Sequence, residues 1–103
     1  MTLTEYQQRA HATAIYPPEQ GRIYTVLGLV GEAGELANKA KKLIRGDVVS
    51  HIPLLLELGD VLWYVAECAT SHGYSLEQVA KENLMKLQDR AERGVIQGSG
   101  DER

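Results

Sequence analysis

Residues 54–65 read LLLELGDVLWYV, and this run constrains the fold more than any other part of the chain. Two carboxylates, Glu57 and Asp60, stand in a segment that is otherwise uncharged and mostly apolar. Leu54, Leu55, Leu56, Leu58, Val61, Leu62, Trp63, Val65, Ala66, Cys68 and Ala69 leave the segment no polar face. A helix of that kind is buried on several sides. The chain has only 103 residues, one domain's worth. A domain of that size buries about 60–65% of its unfolded surface. One side of this helix is therefore expected to be covered by a second subunit. Ser50 can cap its start, Pro53 fits its first turn, and Gly73 stops it after His72.

Three further helices and no strand are expected. The first runs from Leu3 to Thr13, with Thr2 as cap and Glu5 three residues on. Tyr16-Pro17-Pro18 ends any helix and begins an extended link. The second spans Gly21 to Ile44, where Ile23, Val26, Leu27, Val30, Ala33, Ala37 and Ala40 recur at helical spacing. Gly28, Gly31 and Gly34 interrupt it, each costing about 1 kcal/mol relative to alanine. They mark either a close helix contact or room for a ligand. Gly46 suits a left-handed cap. Ser75 opens the fourth helix with Gln78 behind it, and Gly94 closes it. The tail, residues 95–103, is expected to be flexible, a frayed end or a flap over a site. The fold class is all-α, an antiparallel bundle of about four helices in a single domain.

Composition excludes several classes of function. A net charge of -3 argues against a protein that grips a nucleic-acid polymer. No apolar run nears the roughly 20 residues of a membrane span. Nothing at the N-terminus reads as a secretory signal. The single cysteine, Cys68, makes no internal disulfide and reads as a core thiol. A cytoplasmic setting without membrane contact is the expectation.

Glu32 and Glu35 form one i, i+3 pair, and Glu57 and Asp60 another. Each pair projects from one helix face. The loop between the two helices is short, so the helices run antiparallel. At 1.5 Å per residue, counting outward from the loop puts both pairs within about one turn of the same height. Carboxylates rarely enter apolar surroundings without compensation. No lysine or arginine stands in the immediate run around either pair, so a divalent cation is the natural counter-charge. All-oxygen ligands favour Mg²⁺, with Mn²⁺ as a substitute. The competing reading places the acids in water, with Glu35 paired to Lys39 at i, i+4. A di-iron site would need Glu-x-x-His motifs, which are absent. His11, His51 and His72 are expected in surface or capping roles.

GLVGEAGELANKAKK, LLLELGDVLWYVAECA, ENLMKLQDRAERG and the closing GSGDER together resemble the MazG-like group of the all-α nucleoside triphosphate pyrophosphohydrolases. The resemblance implies a helical bundle assembled as a dimer or a dimer of dimers. It implies Mg²⁺-dependent cleavage of nucleoside triphosphates between the α and β phosphates, giving a monophosphate and pyrophosphate. Glu32, Glu35, Glu57 and Asp60 match the family's metal ligands. Asn83, Lys86 and Arg90 match residues that contact the nucleotide. Gly100-Asp101 matches the ending of short members. Glu35 or Glu32 would activate the attacking water; spacing does not choose between them. Lys39 and Lys42 are further candidates for the phosphates, and Trp63 for stacking on a base, although packing also accounts for Trp63. The base is open, and a purine deoxynucleotide such as dGTP is the working substrate. The alternative is a non-catalytic, dimerising helical module whose acids are structural.

Overall fold

The computed structural model describes residues 1–103, in which four α-helices form and no strand does. α1 spans Leu3–His11, and the Thr2 hydroxyl accepts the Glu5 N–H at 3.0 Å. It ends two residues before the expected Thr13. The Thr13 N–H and hydroxyl both turn back to the Ala10 carbonyl, at 3.0 and 2.7 Å, which replaces the helical bond. A short 3₁₀ turn, Pro18–Gln20, leads into α2, Gly21–Arg45. α2 is unbroken across its three internal glycines and ends at Gly46 in the left-handed region. α3 spans Ile52–Ser71, with the Ser50 hydroxyl accepting the Ile52 N–H. α4 spans Leu76–Arg93, capped by the Ser75 hydroxyl on the Gln78 N–H.

α2 and α3 form an antiparallel hairpin. Gly21 lies against Ser71, Gly28 against Tyr64, and Glu32 beside Glu57 and Asp60. Each step along α2 is thus matched by a step back along α3. At Gly28 the fit leaves no room for a side chain, because an added Cβ would overlap the Tyr64 ring. Gly31 and Gly34 face no atom within 4 Å. Of the two readings of the glycines, close helix approach holds at Gly28, and these two remain open space.

An aromatic cluster continues this contact toward α1. Tyr16 stacks on Tyr24 with centroids 5.0 Å apart, and Trp63 meets Tyr64 edge-on at 4.9 Å. The Trp63 indole N–H donates to the Ala10 carbonyl and to the Thr13 hydroxyl. Trp63 therefore joins α1 to α3. Gln7 does the same for α4: its amide donates to the Thr70 hydroxyl and the Tyr74 carbonyl, and its oxygen accepts the Leu76 N–H at 2.7 Å.

Glu67 is fully buried, and the sequence reading did not single it out. The Tyr16 hydroxyl donates to it at 2.7 Å, and His11 Nδ1 lies 3.0 Å from the same oxygen. His11 is therefore the partner of a buried acid as well as a surface residue. Burying a carboxylate is costly unless such partners satisfy it.

The helices do not close into a compact bundle within one chain. The radius of gyration is 16.2 Å, against about 13 Å for a compact domain of 100 residues. The buried apolar residues are Ala10, Ala66, Ala69 and Leu76. Leu55 and Leu56 on α3 are 64% and 65% exposed. α4 packs on α1 and α3, yet Leu84 and Met85 on it are 65% and 63% exposed. The all-α class holds, and the expected burial of α3 on several sides is not achieved by one chain alone. No helix is long and apolar enough to cross a membrane.

Two outcomes follow from these contacts. Gly28→Val should lower unfolding free energy by about 1–3 kcal/mol in urea titrations, because the Tyr64 ring must move. Glu67→Leu should cost about 1–3 kcal/mol by leaving the Tyr16 hydroxyl without its acceptor; unchanged stability in the same titration would show that the network contributes nothing.

Candidate metal centre

Three carboxylates meet in the α2–α3 hairpin. One oxygen each of Glu32, Glu57 and Asp60 lies within 4.8 Å of the others. The register explains the meeting. Glu32 stands one turn beyond Gly28 on α2, and Asp60 stands one turn before Tyr64 on α3, so the tight contact holds the acids face to face. Glu57 then joins from the i-3 position on α3.

The electrostatics are strained. Glu32 is held above the ordinary carboxylate range, first by the neighbouring Glu57 carboxylate, to which its protonated form can hydrogen-bond. Burial and the negative charges of Asp60, Glu57 and Glu35 push the same way. The Tyr64 phenol is pushed up as well, by burial foremost, then Tyr24, Glu32 and Asp60. Glu57 Oε2 is the one buried side-chain oxygen or nitrogen without a hydrogen-bond partner. No lysine, arginine or histidine forms an ion pair with any of the three acids. An all-oxygen set with excess negative charge and an orphaned buried oxygen suits a hard divalent cation.

Glu35 does not join this group. It lies a turn further along α2, is exposed, and is absent from the converging set, though its charge reaches Glu32. The expected convergence of four acids is therefore a convergence of three. The competing expectation, a Glu35–Lys39 ion pair, does not form either.

The other candidate residues lie elsewhere. Asn83 and Lys86 line a groove of about 780 Å³ along α4 with Tyr74, Val79 and Met85, and none of the four acids lines it. Lys86 and Arg90 are both engaged by Asp101: its carboxylate accepts from Lys86 Nζ at 2.9 Å and from an Arg90 nitrogen at 3.1 Å. These cations hold the Asp101 carboxyl below its ordinary range, Lys86 most strongly through its hydrogen bond. Lys39 is half-buried and Lys42 exposed on α2, and neither forms an ion pair. The polar edge of Trp63 is taken by α1. A signal for Glu67 does exist in the sequence: it stands seven residues after Asp60, on the same side of α3.

Comparison with known proteins adds a family to this geometry. The chain is 50% identical to the Gene 37 protein of Mycobacterium phage L5 over 109 aligned positions, covering 95% of this chain and 96% of that protein. No solved structure matches it significantly. The MazG nucleotide pyrophosphohydrolase domain matches residues 20–95, which span α2, α3 and α4 and include all four candidate acids. The chain thus belongs to the MazG nucleotide pyrophosphohydrolase domain family.

Proposed function

We propose that this protein is a Mg²⁺-dependent nucleoside triphosphate pyrophosphohydrolase, releasing a nucleoside monophosphate and pyrophosphate. The observation that carries the reading is the Glu32–Glu57–Asp60 cluster with its unpartnered Glu57 oxygen, set in a chain of this family. These three acids would hold Mg²⁺, with Mn²⁺ as substitute. The cation, when bound, supplies neutralisation of the phosphate oxygens as charge builds on them.

The remaining roles belong to the same proposal. Glu35 is exposed, one turn from the cluster and free of any lysine, so it is suited to orient the attacking water and take its proton. Glu32 belongs to the ligand set, and its raised proton affinity comes from the same crowding. Water oxygen bonds to the α phosphorus, the bond to the bridging oxygen breaks, and pyrophosphate leaves. Lys86 and Arg90 would take phosphate oxygens, Asn83 a phosphate or sugar oxygen, and Lys39 and Lys42 further negative charge. Trp63, tied to α1, is left out of the substrate site. A purine deoxynucleotide such as dGTP is the substrate we would try first. The exposed Leu55, Leu56, Leu58 and Leu62 fit coverage by a second copy, as a dimer or tetramer. The same exposed leucines favour the second reading, a dimerising module without catalysis.

Pyrophosphate release from a nucleotide panel, with and without Mg²⁺, separates the two readings. Glu57→Gln and Asp60→Asn should lower turnover and Mg²⁺ binding together. Glu35→Gln should lower kcat by about a hundredfold or more while Mg²⁺ binding persists; near-normal turnover would remove Glu35 from the mechanism.

Stability should also respond to pH in a defined direction. Glu32 binds its proton more tightly in the folded chain than in the unfolded one. Its contribution to metal-free stability is therefore fully present below the ordinary carboxylate range and lost as pH rises through its raised value. In EDTA, Tm should fall across that window. Mg²⁺ should restore the loss, with an increment that grows with pH, and a Tm indifferent to Mg²⁺ at neutral pH would count against the metal site.

A further inference from the structure

The nine residues after Gly94 fold back on α4. Arg103 donates to the Val95, Ile96 and Gly100 carbonyls, closing the tail on itself. Arg93 of α4 donates to the Arg103 carbonyl. Gly100 takes φ +78°, a conformation that side chains rarely adopt, and this turn presents Asp101 to α4. Every polar contact the tail makes beyond itself goes to α4, and the main one is the carboxylate of Asp101 on both Lys86 and Arg90.

The two sides of this contact are unequal. With the tail in place the Arg90 side chain is 6% exposed, and its guanidinium donates to the Gly100 carbonyl and the Asp101 carboxylate. The Asp101 side chain is 81% exposed and is carried by a turn at the end of the tail. Two cations on a helix are holding an anion carried by an exposed turn. One Asp101 oxygen accepts from both cations, as a phosphate oxygen would.

We infer that the tail is an intramolecular competitor: Asp101 occupies the Lys86–Arg90 pair in the free protein, and an oligophosphate must displace it to bind there. This deepens the proposed function and rests on its assignment of Lys86 and Arg90 to the triphosphate. The consequence is a built-in threshold on binding. The Asp101 carboxylate and much of Lys86 stand in solvent, which weakens the contact, so the threshold is modest.

The test uses the full chain and inorganic tripolyphosphate as the probe. Calorimetry gives Kd for the unaltered protein, Asp101→Asn and Glu102→Gln. Glu102 is exposed and bonded to nothing, so its variant removes the same charge without touching the pair. Asp101→Asn should bind about three- to tenfold more tightly, and Glu102→Gln should not. In ¹⁵N-labelled protein, the Gly100 and Asp101 amides should shift as tripolyphosphate saturates. No binding, unmoved tail amides at saturation, or equal tightening by both variants would each overturn the inference. Pyrophosphate release is scored separately. Turnover with an undisplaced tail would reject the inference and leave the proposed function standing. Displacement without turnover of any nucleotide would do the reverse.

Discussion

The site depends on the contact between the Tyr64 ring and the bare backbone of Gly28. Helices packed through ordinary side chains sit 8–10 Å apart, a spacing set by what lies between them. A glycine under an aromatic ring removes one layer from that spacing. One turn to one side of the contact stand Glu32 on α2 and Asp60 on α3, with Glu57 beside them. The contact that stabilises the hairpin therefore also forces three acids together. Like charges at such range raise one another's proton affinity, and Glu32 shows it. The crowding can be relieved by a proton on Glu32, whose affinity for one is raised, or by a cation that all three can share. Packing at Gly28 and charge at the acids are thus one problem.

Burial is distributed unusually in the rest of the chain. Glu67, Arg90, Gln7 and Thr25 are inside, while Leu55, Leu56 and Leu58 are outside. The interior polar groups are bonded: Glu67 to Tyr16 and His11, Gln7 to three groups at the α3–α4 junction, Thr25 to the Gly21 carbonyl. These bonds fix angles between helices without contributing much apolar burial. Covering an exposed leucine is worth about 1.5–3 kcal/mol. On the proposed reading, a second copy would cover these leucines. Gly31 and Gly34, open on the same helix as Glu32, are consistent with backbone left accessible beside the acids.

Much of this was legible in the sequence because it rests on local rules. Thr2, Ser75, Gly46 and Gly94 mark helix ends where capping chemistry requires them. The i, i+3 acids and the short connecting loop led to the meeting of Glu32, Glu57 and Asp60. Residues whose role depends on a distant partner were not legible. Glu67 is defined by His11 and Tyr16, 56 and 51 positions away. Trp63 is defined by the end of α1, 53 and 50 positions away. Glu35 fits the spacing as well as Glu32 does, but it lies about two turns beyond the Gly28 contact, nearer the loop, and does not join the converging acids. The openness of the bundle was hidden for a related reason. An apolar pattern says that a face must be covered, without saying by which chain.

A site meant to hold both a cation and a polyanion faces a conflict within its own chain. Lysines and arginines close to Glu32, Glu57 and Asp60 would neutralise them and make a bound cation redundant. Cations meant for a polyanion would lose it to acids that could not be displaced. The chain separates the two sets by element, with the acids on the α2–α3 hairpin and the buried-edge cations Lys86 and Arg90 on α4. It then gives the cations their own counter-ion, Asp101. The acids keep their excess charge, and Glu57 Oε2 remains without a partner. On the proposed reading, that unrelieved charge draws the metal, and the metal with its bound phosphates then gives Lys86 and Arg90 a stronger anion than Asp101. Charge kept apart in the free chain would thus be brought together by the substrate, which is the one component that carries partners for both sets.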